Sequence, residues 1–234
     1  MKNALISFFT NIILSVAILF VAIIGFYGVD TVKVSGVSQN LYYRGNAEKN
    51  SVSLMFNVYE NTQNIQKILQ ILQEYGAKCT FFIGGSWADD NIDCVKSIFA
   101  QGHEVASHGY FHKDHSKMDY SKNLEEITPS VKLLNMICNT KITLFAPPSG
   151  AFCQETLTCC EALNLKVIMW SRDTIDWRDK DVNLIYGRAT NDLQAGEFVL
   201  MHPTDCTVLA LPKILDYLYK VGLQAQTVSY NLGE

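Results

Sequence analysis

The stretch GHEVASHGYFH, residues 102–112, begins as a strand and ends on two histidines four residues apart. Val105 and Ala106 give the strand its apolar body, and Gly109 opens the turn behind it. On a helical turn the spacing of His108 and His112 puts both imidazoles on one side, as a divalent metal requires. The spacing alone is a weak signal, because two loop histidines at a polar rim produce the same pattern. His115 lies one turn further on and is either a third nitrogen ligand or an exposed side chain.

On either side of this stretch the chain alternates between short apolar runs and helical patterns. Val52–Phe56 reads as a strand. In residues 64–76, Ile65, Ile68, Leu69 and Leu72 recur at helical spacing, and Gly76 is a natural stop. KCTFFIGG (78–85) is a second strand and NIDCVKSIFAQG (91–102) a second helix. Beyond the histidines, residues 121–139 form a longer helix with Ser121 as the expected N-cap. ITLFAPP (142–148), LKVIMW (165–170) and EFVLMHP (197–203) are further strands. LPKILDYLYKVG (211–222) is the last helix, and LQAQTVS (223–229) the last strand. Such alternation implies a parallel sheet with helical crossovers, either a barrel or an open doubly wound sheet. Ligands of such folds bind beyond the carboxyl ends of the strands.

The strand ends carry the chemistry. They are Asn57-Val58-Tyr59-Glu60, Gly84-Gly85-Ser86, His108 to His112, Ala146 to Gly150, Asp173 to Trp177, and His202-Pro203-Thr204. Of Asp173 and Asp176, one is placed to orient a histidine and the other to cap the next helix. His202 is a candidate general acid, since an unperturbed imidazole titrates near neutrality.

Composition narrows the class. Hydrophobic residues make up 48% and charged residues 18% of 234, which excludes a disordered chain. The net charge of −4 and the absence of a basic stripe leave nucleic-acid binding without support. Ala4–Tyr27 contains no Asp, Glu, Lys or Arg and suits a hydrocarbon core of roughly 30 Å. It lacks the small-residue cleavage site of a signal peptide. The expected organisation is therefore a membrane anchor over residues 1–30, a linker over 31–50 and one domain over 51–234. None of the seven cysteines forms a C-x-x-C pair, so most are expected as small buried side chains. Cys153 with Cys159 or Cys160 is a candidate disulfide for an extracellular domain.

Taken in order, these segments resemble the polysaccharide deacetylase family (the NodB-type domain, carbohydrate esterase family four) over roughly residues 50–230. KCTFFIGG resembles the family's ATFFVTG strand, and GHEVASHGYFH its GHEIGNHTYTH segment. FAPPSG resembles FRPPYG, DTIDW resembles D-x-x-D-W, and VLMHP resembles ILLHD or ILLHP. The resemblance implies an α/β fold, a distorted (β/α) barrel of about seven strands. It also implies N-deacetylation of a cell-wall amino-sugar polymer at one divalent metal, usually zinc, by a domain outside the cell membrane.

Carried over residue by residue, the resemblance makes His108 and His112 metal ligands, His202 the general acid and Asp173 its orienting acid. Asn57, Pro148, Ser149, Gly150, Asp176 and Trp177 fall on the substrate side. The first motif departs from the family: T-F-D-D is replaced by Met55-Phe56-Asn57-Val58, removing both the base and a metal ligand. The third-motif arginine is Ala146, and Arg172 is a candidate to replace its charge. The sequence is similar to a Gram-positive subgroup with F-N-V in the first motif. Two readings follow. One is an active deacetylase in which Glu60 serves as base and Glu60 or water completes the metal shell. The other is a wall-glycan binding module that has lost catalysis, its cleft lined by Tyr59, Tyr110, Phe111, Trp170 and Trp177.

Overall fold

The computed structural model describes residues 40–233. Nine strands form one sheet: β1 (Leu41–Tyr42), β2 (Ser51–Val58), β3 (Thr80–Ile83), β4 (Glu104–Ser107), β5 (Leu144–Phe145), β6 (Lys166–Ile168), β7 (Arg172–Asp173), β8 (Phe198–Met201) and β9 (Gln224–Ala225). Their order is β1-β6-β5-β4-β3-β2-β8-β7, with β9 on β2, and every pairing is parallel. The crossovers are helical: α1 (Thr62–Glu74), α2 (Gly85–Asp90), α3 (Ile92–Ala100), α4 (Tyr120–Cys138), α5 (Gln154–Ala162), α6 (Val182–Thr190) and α7 (Asp205–Val221), followed by a terminal α8 (Val228–Leu232).

The sheet curls back on itself, because one short stretch reaches both of its ends. Residues 166–168 pair with β5 and β1, and after an interval of three residues 172–173 pair with β8. The result is a parallel, curled barrel-type α/β fold, as the resemblance implied.

Strands buried on both faces read as near-continuous apolar runs, and period-2 alternation then separates the faces. Val52, Leu54, Phe56 and Val58 pack in the layer between sheet and helices, against Ile65, Ile68 and Leu72 of α1 and Ile214 and Leu218 of α7. Met55 faces the interior with Phe82, Ala106, Leu144, Ile168 and Phe198. The same alternation carries the inward face from Met55 to Asn57, from Ala106 to His108, from Leu144 to Ala146 and from Leu200 to His202. One rule thus brings residues far apart in sequence to one end of the barrel.

Several boundaries differ from those expected. Among the described residues, 40–50 pack with the domain and do not form a separate linker. β1 lies along β6, Arg44 bridges to Glu197, and Gly45 N–H donates to the Gly196 carbonyl at 2.7 Å. α4 starts at Tyr120, capped by Asp119 rather than Ser121; the Asp119 carboxylate accepts from Lys122 N–H at 2.9 Å. α7 starts at Asp205 under a Thr204 cap, six residues before the sequence pattern placed it. The last strand is only Gln224–Ala225, and α8 follows it. Val228 enters the interior cluster, and Asn231 bonds the Ser51 and Ser53 hydroxyls, so the C-terminal segment closes the bottom of the barrel.

Cys153, Cys159 and Cys160 are free thiols, which corrects the disulfide expectation. The Cys153 thiol instead donates to the His115 and Met118 carbonyls, while Cys159 and Cys160 are buried in apolar packing. Among the described residues no helix is long and apolar enough to cross a membrane. The anchor expected over residues 4–27 lies outside the described residues.

Candidate functional site

Two connected cavities open at the carboxyl ends of the strands. The inner pocket, about 180 Å³, is lined by Asn57, Tyr59, His108, His112, Ser149, Trp170, Asp173, Trp177, Leu200 and His202. The outer cleft, about 760 Å³, shares Asn57, Tyr59, Trp177 and His202 and runs between the loops after β2, β7 and β8.

His108 is fully buried, and its Nδ1 lies 2.8 Å from the Ala146 carbonyl. A carbonyl only accepts, so Nδ1 carries the proton and Nε2 keeps a bare lone pair. That Nε2 has no hydrogen-bond partner. Burial pushes the His108 pKa down to about 3, so the ring is neutral at physiological pH. His112 follows at a left-handed φ of 54°, its ring centroid 5.0 Å from that of His108. Burial lowers its pKa as well. The Tyr59 ring lies against His112 with centroids 4.1 Å apart. Asn57 is buried, and its Oδ1 is also without a partner.

On the opposite wall, Asp176 holds His202. The Asp176 Oδ1 lies 2.8 Å from His202 Nδ1, and its Oδ2 accepts from His202 N–H at 2.6 Å and from the Thr207 hydroxyl at 2.5 Å. Asp176, not Asp173, is therefore the orienting acid. Asp173 Oδ1 accepts from Ile175 N–H at 2.8 Å, inside the turn. The turn runs through Ile175 at φ 53°, a sparsely populated conformation for a β-branched residue, and this swings the second acid beneath the end of β8. Neither acid caps α6, which Asp181 caps instead. Thr207, in the first turn of α7, is a site residue that carries no sequence signal.

Other expectations are corrected. Glu60 is exposed and lines the outer cleft, and it does not line the inner pocket with the histidines. His115 is buried elsewhere, its Nδ1 2.7 Å from Asn123 Oδ1 and its ring edge-on to Phe145. Arg172 turns away from the pocket and binds Glu197 and the carbonyls of Arg188, Asn191 and Asp192. Pro148, Ser149 and Gly150 form the turn beside the pocket, with Ser149 at φ 55° and Gly150 close against Trp170. Trp177 stands 56% exposed at the mouth, free to stack on a ligand.

The donors fall short of a resident zinc site. Catalytic zinc takes three protein ligands, and among the described residues no group of three or more His, Cys, Asp or Glu could hold a metal. Val58, at the family's ligand position, is fully buried in the helix-facing apolar layer.

The polysaccharide deacetylase family model matches residues 44–168. The chain belongs to the polysaccharide deacetylase family. The YlxY protein of Bacillus subtilis (strain 168) is 31% identical over 192 residues, 82% of this chain and 60% of that protein, so the chain spans less than two thirds of this relative's length. A peptidoglycan-N-acetylglucosamine deacetylase of Bacillus cereus is 27% identical over 191 residues, 80% of this chain and 70% of the relative. Among solved structures, a CE4 family pseudoenzyme from Bacillus anthracis superposes with a TM-score of 0.81 at 30% identity, covering 85% of this chain and 70% of that one. A mutant of that pseudoenzyme is described as having restored enzymatic activity. Within the deacetylase fold, this chain carries the histidine pair and an Asp176–His202 pair, with Asn57 and Val58 in the first motif.

Proposed function

We propose that this domain binds an amino-sugar polymer of the bacterial cell wall in the deacetylase cleft, with hydrolysis of the N-acetyl amide strongly impaired. One observation carries this reading: the strand end that must supply a base presents Asn57 inward and buries Val58 outward. An amide cannot take a proton from water, and loss of a positioned general base costs on the order of 10² to 10⁴ in rate. Likeness to the Bacillus anthracis pseudoenzyme supports the reading, and likeness to a peptidoglycan deacetylase supports the wall glycan as ligand. The exposed Trp177 and half-exposed Tyr59 suit stacking on sugar faces. A wall polymer as ligand supports an extracytoplasmic position for the domain, with residues 4–27 proposed as its membrane tether.

A second reading, a working carbon–nitrogen hydrolase with Zn2+ or another divalent metal, is favoured by the Asp176–His202 pair, whose geometry suits a general acid. An acetate-release assay on N-acetylglucosamine oligomers and on peptidoglycan, run beside pull-down on wall sacculi, separates the two. Binding without acetate release is expected. Turnover at the rate of an active relative, abolished by His202→Ala, would establish the hydrolase instead.

A further inference from the structure

We propose that the inner pocket recognises the free amine of a de-N-acetylated sugar unit rather than an N-acetyl group. The inference rests on the wall-glycan reading above and names the unit that is read.

The pocket's chemistry is that of a cation site. No Lys or Arg lines it, because the third-motif position is Ala146 and Arg172 is committed to Glu197. Arg178, nearby on the same loop, pairs with Asp179 at 2.8 Å and interacts with Asp173 only through space. The carboxylate lining the inner pocket is Asp173, half-buried, with only its Oδ1 in use. Two deeper groups, Asn57 Oδ1 and His108 Nε2, are buried acceptors without donors. The Ala146 carbonyl fixes the His108 tautomer, so that Nε2 can only accept. Three aromatic side chains, Tyr59, Trp170 and Trp177, complete the wall.

A primary ammonium offers three donors and no acceptor. It satisfies unpaired acceptors, pairs with a carboxylate and is attracted to aromatic faces. An acetamide has only one N–H and no charge, so it leaves at least one of the two buried acceptors unpaired and gives Asp173 no counter-charge. The substitutions that remove the deacetylation machinery thus leave a pocket matched to the product of that reaction. Such a domain would mark stretches of wall that an active deacetylase has already modified.

The test uses the full chain, stripped with EDTA and titrated calorimetrically with glucosamine tetramer and with N-acetylglucosamine tetramer. The amine tetramer should bind at least about tenfold more tightly. Asp173→Asn keeps the Oδ1 that accepts from Ile175 N–H, so the turn survives; it should collapse that preference. Equal or tighter binding of the N-acetylated tetramer overturns the inference while leaving wall-glycan binding intact. Binding of neither tetramer removes both. A tetralysine peptide that binds as well as the amine sugar would trace the preference to the net negative charge and also overturn the inference. Restoration of N-acetyl binding by zinc alone would do the same, by assigning the two bare acceptors to a metal.

Discussion

At the scale of single residues, the face on which a side chain lies decides more than its identity. Asn57 and Val58 are neighbours, yet one lines the pocket and the other packs against helices. Val58→Asp should therefore place an uncompensated carboxylate in an apolar layer, costing about 3 to 5 kcal/mol. A chemical-denaturation midpoint measures this, and recovery of stability on adding zinc would show instead that the new acid turns inward. Asp176 has three donors on a buried carboxylate. Asp176→Asn keeps the shape but loses the charge and one acceptor, so a loss of about 1.5 to 3 kcal/mol is expected in the same assay. The residue types at these sites were legible in the sequence, because strand ends followed the apolar runs. Which acid meets His202 was not, since the answer depends on a single left-handed residue, Ile175, that no periodicity announces.

At the scale of elements, the turn over residues 148–150 joins the pocket wall to the sheet. Gly150 sits at φ 67°, and a Cβ there would lie 2.8 Å from the Trp170 ring. Gly150→Ala should cost about 1 to 3 kcal/mol through crowding and backbone strain. Thermal unfolding monitored by tryptophan fluorescence reports it, and an unchanged midpoint would mean that Trp170 moves aside freely. The long elements were readable from the sequence. α1 showed helical spacing, and β2, β3 and β8 showed apolar runs closed by polar or glycine residues. β1 was missed and β9 was found but drawn too long, because two-residue strands carry no period; their place is set by partners more than a hundred residues away.

For the whole molecule, buried neutral imidazoles make stability depend on acid. Burial holds His103 down at about 4 and His108 at about 3, both below the unfolded value of about 6.5. His103 Nδ1 also accepts from Cys79 N–H at 3.3 Å, a bond that protonation would break. Below pH 6.5 the unfolded chain binds protons that the folded chain refuses. Stability is therefore complete above about pH 6.5 and lost progressively as pH falls toward 4, by up to about 1.4 kcal/mol per pH unit for each histidine. Urea midpoints between pH 7 and 4 should show this slope, and His103→Gln should flatten it; an unchanged slope would shift the cause to other groups.

The closure of the barrel also sets an order of events during synthesis. Leu41 and Tyr42 wait for Val167 and Ile168, and Gly45 waits for Gly196. The bottom stays open until Val228 and Asn231 arrive. Such distant pairings pay their loop entropy before they gain contacts. β1, the first strand among the described residues, thus gains its sheet partner only after more than a hundred further residues have been made. Until then the nascent domain has an unpaired strand and an open interior, and a stalled or shortened chain would be presented to proteases in that state.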